Sequence, residues 1–406
     1  MSSLGSPSTF FLAKKKAYEV ERSLRFNRDD TVYLERTPSS DGNKRTWTFS
    51  AWIKRGQLTS LQTFFSAGSN NPDVIVKFTP SDQFEISRYG GSYQTQVTST
   101  QLFRDPSAWY HLVGAVDTTQ ATASNRVKMY VNGTQITDFA ISSYPSQDYE
   151  YPEINDTGFS NKIGKHGSNS QNFDGYMTEI NFIDGSQLTP SSFAETDAVT
   201  GEYKPKKFVG SYGTNGFYLN FSDNSGTTAT TLGKDYSGNG NNFTPYNFSV
   251  AAGKEDDSSF DSPTNNFPTL SPVDRSLVGT ISNGNLRVSY NYKPASKSWR
   301  STMALPSSGK IYWEWENEEA SSNPGRWQTG LVRYTDEAGV VDFQGYNDVN
   351  YVSISFGGST WNGTTHMSSW PSISFYSGER AAIAIDCSNG KLWVGKVASN
   401  GSTTWY

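Results

Sequence analysis

The sequence predicts an all-β protein built as two β-sandwich domains. Three observations predict it. Aromatic residues make up 14% of the 406 residues, and 36 glycines accompany them, a composition enriched in strand formers and turn formers. Short stretches alternate apolar and polar residues at period two, separated by Asn, Gly, Ser and Pro. Convincing amphipathic helices are absent, and the length exceeds one ordinary domain.

Each segment can be justified in order. Residues 1–17 read as a docking arm, with Phe10, Phe11 and Leu12 as adhesive side chains ahead of Lys14-Lys15-Lys16. The apolar patch precedes the lysines, the reverse of a secretory signal, so none is read there. A first sandwich is expected over 18–250. SLRFN and TVYLERT flank a polar turn. Trp47, Phe49, Ala51 and Ile53 share one face of TWTFSAWIKR, as Val74, Val76 and Phe78 do in DVIVKF. Pro80-Ser81-Asp82 turns the chain, and Phe84 and Ile86 return it.

WYHLVGAVD and RVKMYVNG, at 109–117 and 126–133, read as strands of a three-strand meander. Tyr110, Leu112, Gly114 and Val116 take one face, and His111, Val113, Ala115 and Asp117 the other. Asn132-Gly133 tolerates positive φ at both central positions of a tight hairpin, and Thr134 to Thr137 is the partner strand. His111 is expected to be a structural, half-buried ring: His166 and His366 are distant in sequence, and no pair has zinc-ligand spacing. In GYMTEINFID, Tyr176, Thr178, Ile180 and Phe182 are assigned to one face, and Met177, Glu179, Asn181 and Ile183 to the other.

Residues 251–278 are rich in Ser, Asp, Pro and Asn and read as a linker, because proline removes ladder donors. A second sandwich is expected over 279–406. Ile311, Trp313 and Trp315 face one way in KIYWEWENEE, and Tyr312, Glu314, Glu316 and Glu318 the other. RAAIAIDCSNGKLWVGK reads as a hairpin turning at Asn389-Gly390, with Cys387, the chain's one cysteine, as a core thiol beside Ile383 and Ile385.

These residues carry a resemblance. WYHLVGAVD…RVKMYVNG, with SLRFNRDDTVYLERT, WTFSAWIKR and IGKHG…FDGYMTEINFIDGSQLTPSSF, resembles the laminin-G-like pattern of the concanavalin A-like jelly roll, over about residues 20–250. The stretches GFYLNFSDNSG and KDYSGNGNNF come at the end rather than the start, which implies a circular permutation. GKIYWEWE, RWQTGLV and GERAAIAIDCSNGKLWVGK resemble SPRY domains. A SPRY domain would need a further strand or two beyond Tyr406, so either the sequence is a fragment or another chain completes the sheet. The pairing of the two modules is similar to structural proteins of bacteriophages, notably marine phages of cyanobacteria. That resemblance implies a non-enzymatic virion protein, a tail fibre or adhesin-type component made in the host cytoplasm. Its implied partners are other virion proteins, further copies of itself and host-surface polysaccharide. A capsid surface or decoration protein is the alternative.

The net charge of −5 gives no footprint for nucleic acid, and no apolar run is long enough to insert in a membrane. No cofactor is expected, calcium excepted: Asp235, Ser237 and Asn239 have the oxygen spacing that opens a calcium loop, although Tyr246 stands where a bidentate acid belongs. A plain Asx and glycine turn is the competing reading. Trp361 and Trp370 lie in a loop-like stretch rich in hydroxyls and amides and are candidate sugar-stacking residues; the alternative is a core position. A glucanase-type enzyme is the last alternative. Glu314 and Glu318 on a regular strand stand roughly 13 Å apart, against about 5–5.5 Å for a retaining pair, so the enzyme reading is not adopted.

Overall fold

In the computed structural model, the described residues are 18–69, 71–167, 171–253, 256–275, 279–289, 299–316, 318, 328–332, 351–355, 360–362, 365–366, 373, 375 and 378–406. The docking arm expected over 1–17, with Phe10, Phe11 and Leu12, lies outside them. The chain divides into two compact units, Met1–Phe267 and Pro268–Tyr406. Strands dominate both. Among the described residues helix is limited to single 3-10 turns such as Arg28–Asp30, and no helix is long and apolar enough to cross a membrane.

The first unit carries β1 (Ser23–Phe26), β2 (Tyr33–Arg36), β3 (Thr46–Arg55), β4 (Gln62–Gly68), β5 (Asp73–Phe78) and β6 (Gln83–Tyr89). Then come β7 (Tyr93–Leu102), β8 (Trp109–Asp117), β9 (Val127–Val131), β10 (Thr134–Ile136), β11 (Phe139–Ser143) and β12 (Asn161–Ile163). The last are β13 (Gly175–Asp184), β14 (Ala194–Thr196), β15 (Tyr203–Pro205), β16 (Phe217–Leu219), β17 (Thr244–Tyr246) and β18 (Ser258–Ser259). They form two antiparallel sheets. Sheet 1 runs β10-β9-β8-β3-β13-β1-β18, with β16 also on β13; sheet 2 runs β11-β7-β6-β5-β4-β12-β2-β17.

Alternation along each strand sends one apolar row inward. Trp47, Phe49, Ala51 and Ile53 of β3 meet Phe65, Val74, Val76 and Phe84 of sheet 2 in one buried cluster. Phe65 bridges the layers, 5.5 Å from Phe49 and 5.3 Å from Phe182 between ring centroids. Each such buried side chain contributes about 1.5–3 kcal/mol. The meander forms as expected: Val131 pairs with Thr134, leaving Asn132 and Gly133 at φ 46° and 83°, the backbone of a two-residue primed turn.

The strict alternation expected for 175–184 is broken. Thr178 pairs with Trp52 and Asn181 with Ser50, so a bulge sits at Glu179, whose φ is 51°. Its extra residue shifts the pleat. Met177 therefore shares the core with Ile180 and Phe182, while Tyr176 faces out. At this bulge the strand changes neighbours: β1 pairs with 175–177 and β16 with 180–182. The Glu179 carboxylate fills the junction and accepts hydrogen bonds from the Tyr18 and Tyr218 hydroxyls at 2.8 and 2.7 Å.

Sheet 1 is apolar on both faces because the chain folds back over its outer side. Phe193, Tyr212 and Tyr218 cover Val113, Ala115 and Ile183, and Ala194 and Tyr203 cover Trp52, Trp109 and Tyr176. Part of the segment expected to be a linker also packs here. β18 pairs with β1, Asp257 meets Arg25 at 3.0 Å, and Asp261 meets the wholly buried Lys54 at 2.7 Å.

The second unit carries β19 (Leu270–Arg275), β20 (Thr280–Ser282), β21 (Arg287–Ser289), β22 (Trp299–Ser301), β23 (Lys310–Glu316) and β24 (Gln328–Val332). They are followed by β25 (Tyr351–Ser355), β26 (Thr360–Asn362), β27 (Thr365–His366), β28 (Arg380–Asp386), β29 (Lys391–Val397) and β30 (Thr403–Trp405). Two four-stranded sheets order as β23-β28-β29-β30 and β24-β25-β26-β27. Trp313, Trp315 and Cys387 pack with Ile383 and Ile385 as the pattern demands. Asp386 pairs with Lys391, so the hairpin closes through the four residues Cys387–Gly390 rather than a two-residue turn.

Candidate functional site

The sequence candidates resolve into distinct environments. His111 is fully buried on the outer side of β8. Its Nε2 lies 2.9 Å from Ser50 Oγ and its Nδ1 2.8 Å from the Tyr203 hydroxyl, and the ring stacks on Trp52. Burial pushes the imidazole down to about 3. A neutral ring with both nitrogens engaged and no route to solvent holds strands together.

Asp235 is a hub of turn hydrogen bonds. One oxygen accepts from the backbone N–H of Tyr218 and Ser237, the other from Ser237 Oγ and the Asn241 N–H, at 2.7–2.8 Å. Asn239 donates through its side-chain amide to the Gly213 and Gly216 carbonyls. The loop Asp235–Asn241 thereby staples the entry to β16. Four donors account for the lone pairs that a cation would need, which is the chemistry of an Asx turn.

In the second unit, Trp361 lies on β26 opposite Ser353 and His366; its side chain and Trp370 lie outside the described residues. Glu314 pairs with Arg380 at 2.9 Å, and Glu318 with Arg287 at 2.8 Å.

Sequence reasoning missed a cleft on sheet 2. It has a volume of about 270 Å³ and is lined by Gly68, Ser69, Gly158, Phe159, Ser160, Lys162 and Gly167. Pairing of β12 with both β4 and β2 brings these segments together. Gly68 is required there: at φ 115°, a Cβ would stand 2.5 Å from the Pro72 carbonyl oxygen. Lys162 is held by Glu35 at 2.9 Å and Ser160 Oγ at 2.6 Å. Burial raises the Glu35 carboxyl, but the Lys162 and Ser160 hydrogen bonds and the lysine charges outweigh it, and the net direction is down. The carboxylate therefore stays ionised.

Beside the cleft, Tyr33 and the partly exposed Tyr246 stack at 4.6 Å with rings 7° from parallel, and Lys165 Nζ sits 4.2 Å over Tyr33. His166 bridges Asp73 and Gln171, pinning the 164–167 loop to β5. The result is an aromatic face next to hydroxyls, an ammonium and glycine backbone. The cleft is smaller than the ~300–1,000 Å³ of drug-sized sites. Only the tertiary pairing reveals it, because 33, 68, 160 and 246 carry no joint motif.

The fold of the first unit agrees with a family match. Residues 26–194 match the laminin G-type family model described as the concanavalin A-like lectin/glucanases superfamily. No curated protein matches the chain. Among solved structures it is similar to a putative carbohydrate-binding protein from Bacteroides ovatus, with 18% identity over 57% of this chain and 59% of that one and a TM-score of 0.38. A heptameric SAP-like pentraxin from Limulus polyphemus matches at 13% identity over 47% of this chain and 94% of its own, with a TM-score of 0.34. The CBM40 of a Ruminococcus gnavus IT-sialidase, bound to α2,3-sialyllactose, matches at 13% over 40% and 88%, with a TM-score of 0.27. The chain thus spans 59% of the length of the first of these. With the antiparallel layers described above, the family match establishes that the first unit carries a concanavalin A-like lectin-fold domain of the laminin G type.

Proposed function

We infer that the protein is a non-enzymatic binding component of a bacteriophage particle, of the tail fibre or adhesin type. Its first unit would engage a host-surface glycan. The observation that carries the glycan reading is the cleft of Ser69, Phe159, Ser160 and Lys162 beside the Tyr33–Tyr246 stack. A sugar ring offers an apolar face to a tyrosine and hydroxyls to serine and lysine. Further support comes from the lectin fold of this unit and from the resemblance of the paired modules to phage structural proteins. The arm 1–17 would dock on neighbouring virion proteins, and self-association would convert weak single contacts into avidity.

The test is retention of the chain on polysaccharide gels prepared from host-cell envelopes. Lys162→Ala and Tyr246→Ala should each release it; retention equal to the parent chain rejects the cleft. Immunogold labelling of whole particles tests the rest. Label at the tail supports the fibre assignment, label over the head supports a capsid decoration protein, and unlabelled particles reject both.

A further inference from the structure

An exposed aromatic surface lies on the outer face of the sheet β23-β28-β29-β30. Three large aromatics are exposed on this face: Tyr312 by 51%, Trp405 by 46% and Trp393 by 39%. Register explains how they meet. Tyr312, Ala384 and Trp393 form one row across three strands, and Glu314, Ala382, Gly395 and Trp405 form the next. Tyr312 and Trp405 stand on the two outer strands, roughly 14 Å apart at ~4.8 Å per strand. Their rings nevertheless approach to 6.1 Å between centroids, 62° from parallel.

That approach requires small residues between them, and the intervening positions are Ala382, Ala384 and Gly395. The indole of Trp405 lies over Gly395 so closely that a Cβ there would stand 2.9 Å from the ring. One indole face is thus seated on the sheet and the other is open, with the Tyr312 ring as an upright wall. An exposed aromatic surface framed by polar residues marks a binding site.

The surroundings indicate what binds. Tyr312 donates to Glu314, which pairs with Arg380 at 2.9 Å, both part-exposed. This places a hydroxyl, a carboxylate and a guanidinium at one edge of the plate, a set that both donates to and accepts from ligand hydroxyls. By register the face carries Glu314, Glu316 and Asp386 against Lys310, Arg380 and Lys391. Charge on the face is balanced, so it complements a neutral ligand rather than a polyanion.

We propose that Trp405, Tyr312 and Trp393 form a plate that binds the flat face of a neutral hexopyranose chain. The plate extends the glycan-binding reading to the second unit but does not depend on the cleft of the first. Pyranose C–H groups stack on the open indole, and ring hydroxyls reach Glu314 and Arg380.

The test uses the full chain in affinity gels and pull-downs with insoluble β-1,3-glucan, cellulose and chitin. Retention on at least one is expected. Trp405→Ala should weaken it by about tenfold, the scale of one lost aromatic contact. Ala384→Arg, which adds bulk to the floor while keeping every core side chain, should do the same and serves as the readout if Trp405→Ala fails to fold. Tyr246→Ala in the first unit should leave this retention in place. Two outcomes overturn the proposal: no retention on any of the three glycans, or retention insensitive to both Trp405→Ala and Ala384→Arg. Loss with Tyr246→Ala and not with these variants assigns glycan binding to the cleft and overturns the plate. The converse upholds the plate and leaves the cleft to its own test on host-envelope polysaccharide.

Discussion

Glu179 makes the stability of the first unit depend on pH in a way that one substitution removes. Its side chain, Tyr18 and Tyr218 form a triangle of three oxygen contacts, 2.8, 2.7 and 2.7 Å. An ionised carboxylate leaves two protons for three contacts. A protonated one supplies the third, so every contact carries one hydrogen. Burial raises the carboxyl from the ordinary 4.5 to about 7, against the tyrosine hydrogen bonds and the nearby Lys207 charge, which pull it down. Tyr212 is the other titratable group facing it. Because the folded value lies above the unfolded one, this stabilisation is complete below pH 4.5 and is lost as pH rises through about 7. The 2.5 pH units between those values, at about 1.36 kcal/mol each, amount to about 3 kcal/mol. Glu179→Gln keeps a donor and an acceptor in the triangle and never ionises. The melting temperature of the variant minus that of the parent chain should therefore grow by roughly 6–12 °C between pH 4.5 and 8, at about 2–4 °C per kcal/mol for a unit of this size. Melts followed at several pH values supply the measurement, and taking the difference cancels every other titrating group. A difference that stays flat across that range refutes the proton count.

Other expectations rest on separate contacts. A fragment ending at Val250 removes Asp261, Asn266 and Phe267 from Lys54 and Asp257 from Arg25, so residues 18–250 should be less stable than 18–267 by more than the about 3–5 kcal/mol of one broken buried pair; equal melting would show that these counter-ions are dispensable. The His111 ring, held down to about 3, should show no NMR titration between pH 5 and 8. Its folded value lies below the unfolded one, so its contribution to stability is lost as pH falls from 6.5 toward 3. Added calcium or chelator should leave the melting temperature unchanged, because Asp235 already accepts four hydrogen bonds; a rise with calcium would restore the metal reading of that loop.

How far the fold was legible depended on the range of the interactions involved. The period-two rows of β3, β5, β8 and β9 were readable because alternation is a property of a strand by itself. The Asn132-Gly133 turn was readable because φ > 0 at two successive positions restricts residue type locally. In 175–184 the reading failed at one residue. Nothing in GYMTEINFID announces a bulge at Glu179; it arises where β13 exchanges β1 for β16, and both partners are remote in sequence. The proline-rich 251–278 stretch looked like a linker because its use to the fold is charge. Asp257 and Asp261 matter only once Arg25 and Lys54 are buried beside them.

The binding surfaces follow the same division. Local pattern marked Asp235-x-Ser237-x-Asn239 as either a calcium loop or an Asx turn, and His111 as a strand residue, since each reading needs only neighbours in the chain. By itself the sequence determined that the chain would form layered antiparallel sheets with aromatic interiors, because residue type and alternation decide which side of a strand leaves water. Only tertiary pairing decided that Ser160 and Lys162 would face Gly68 and Ser69, or that Trp405 would find Gly395 beneath it and Tyr312 beside it. Cross-strand register sets those meetings, and register is a choice among partners far apart along the chain.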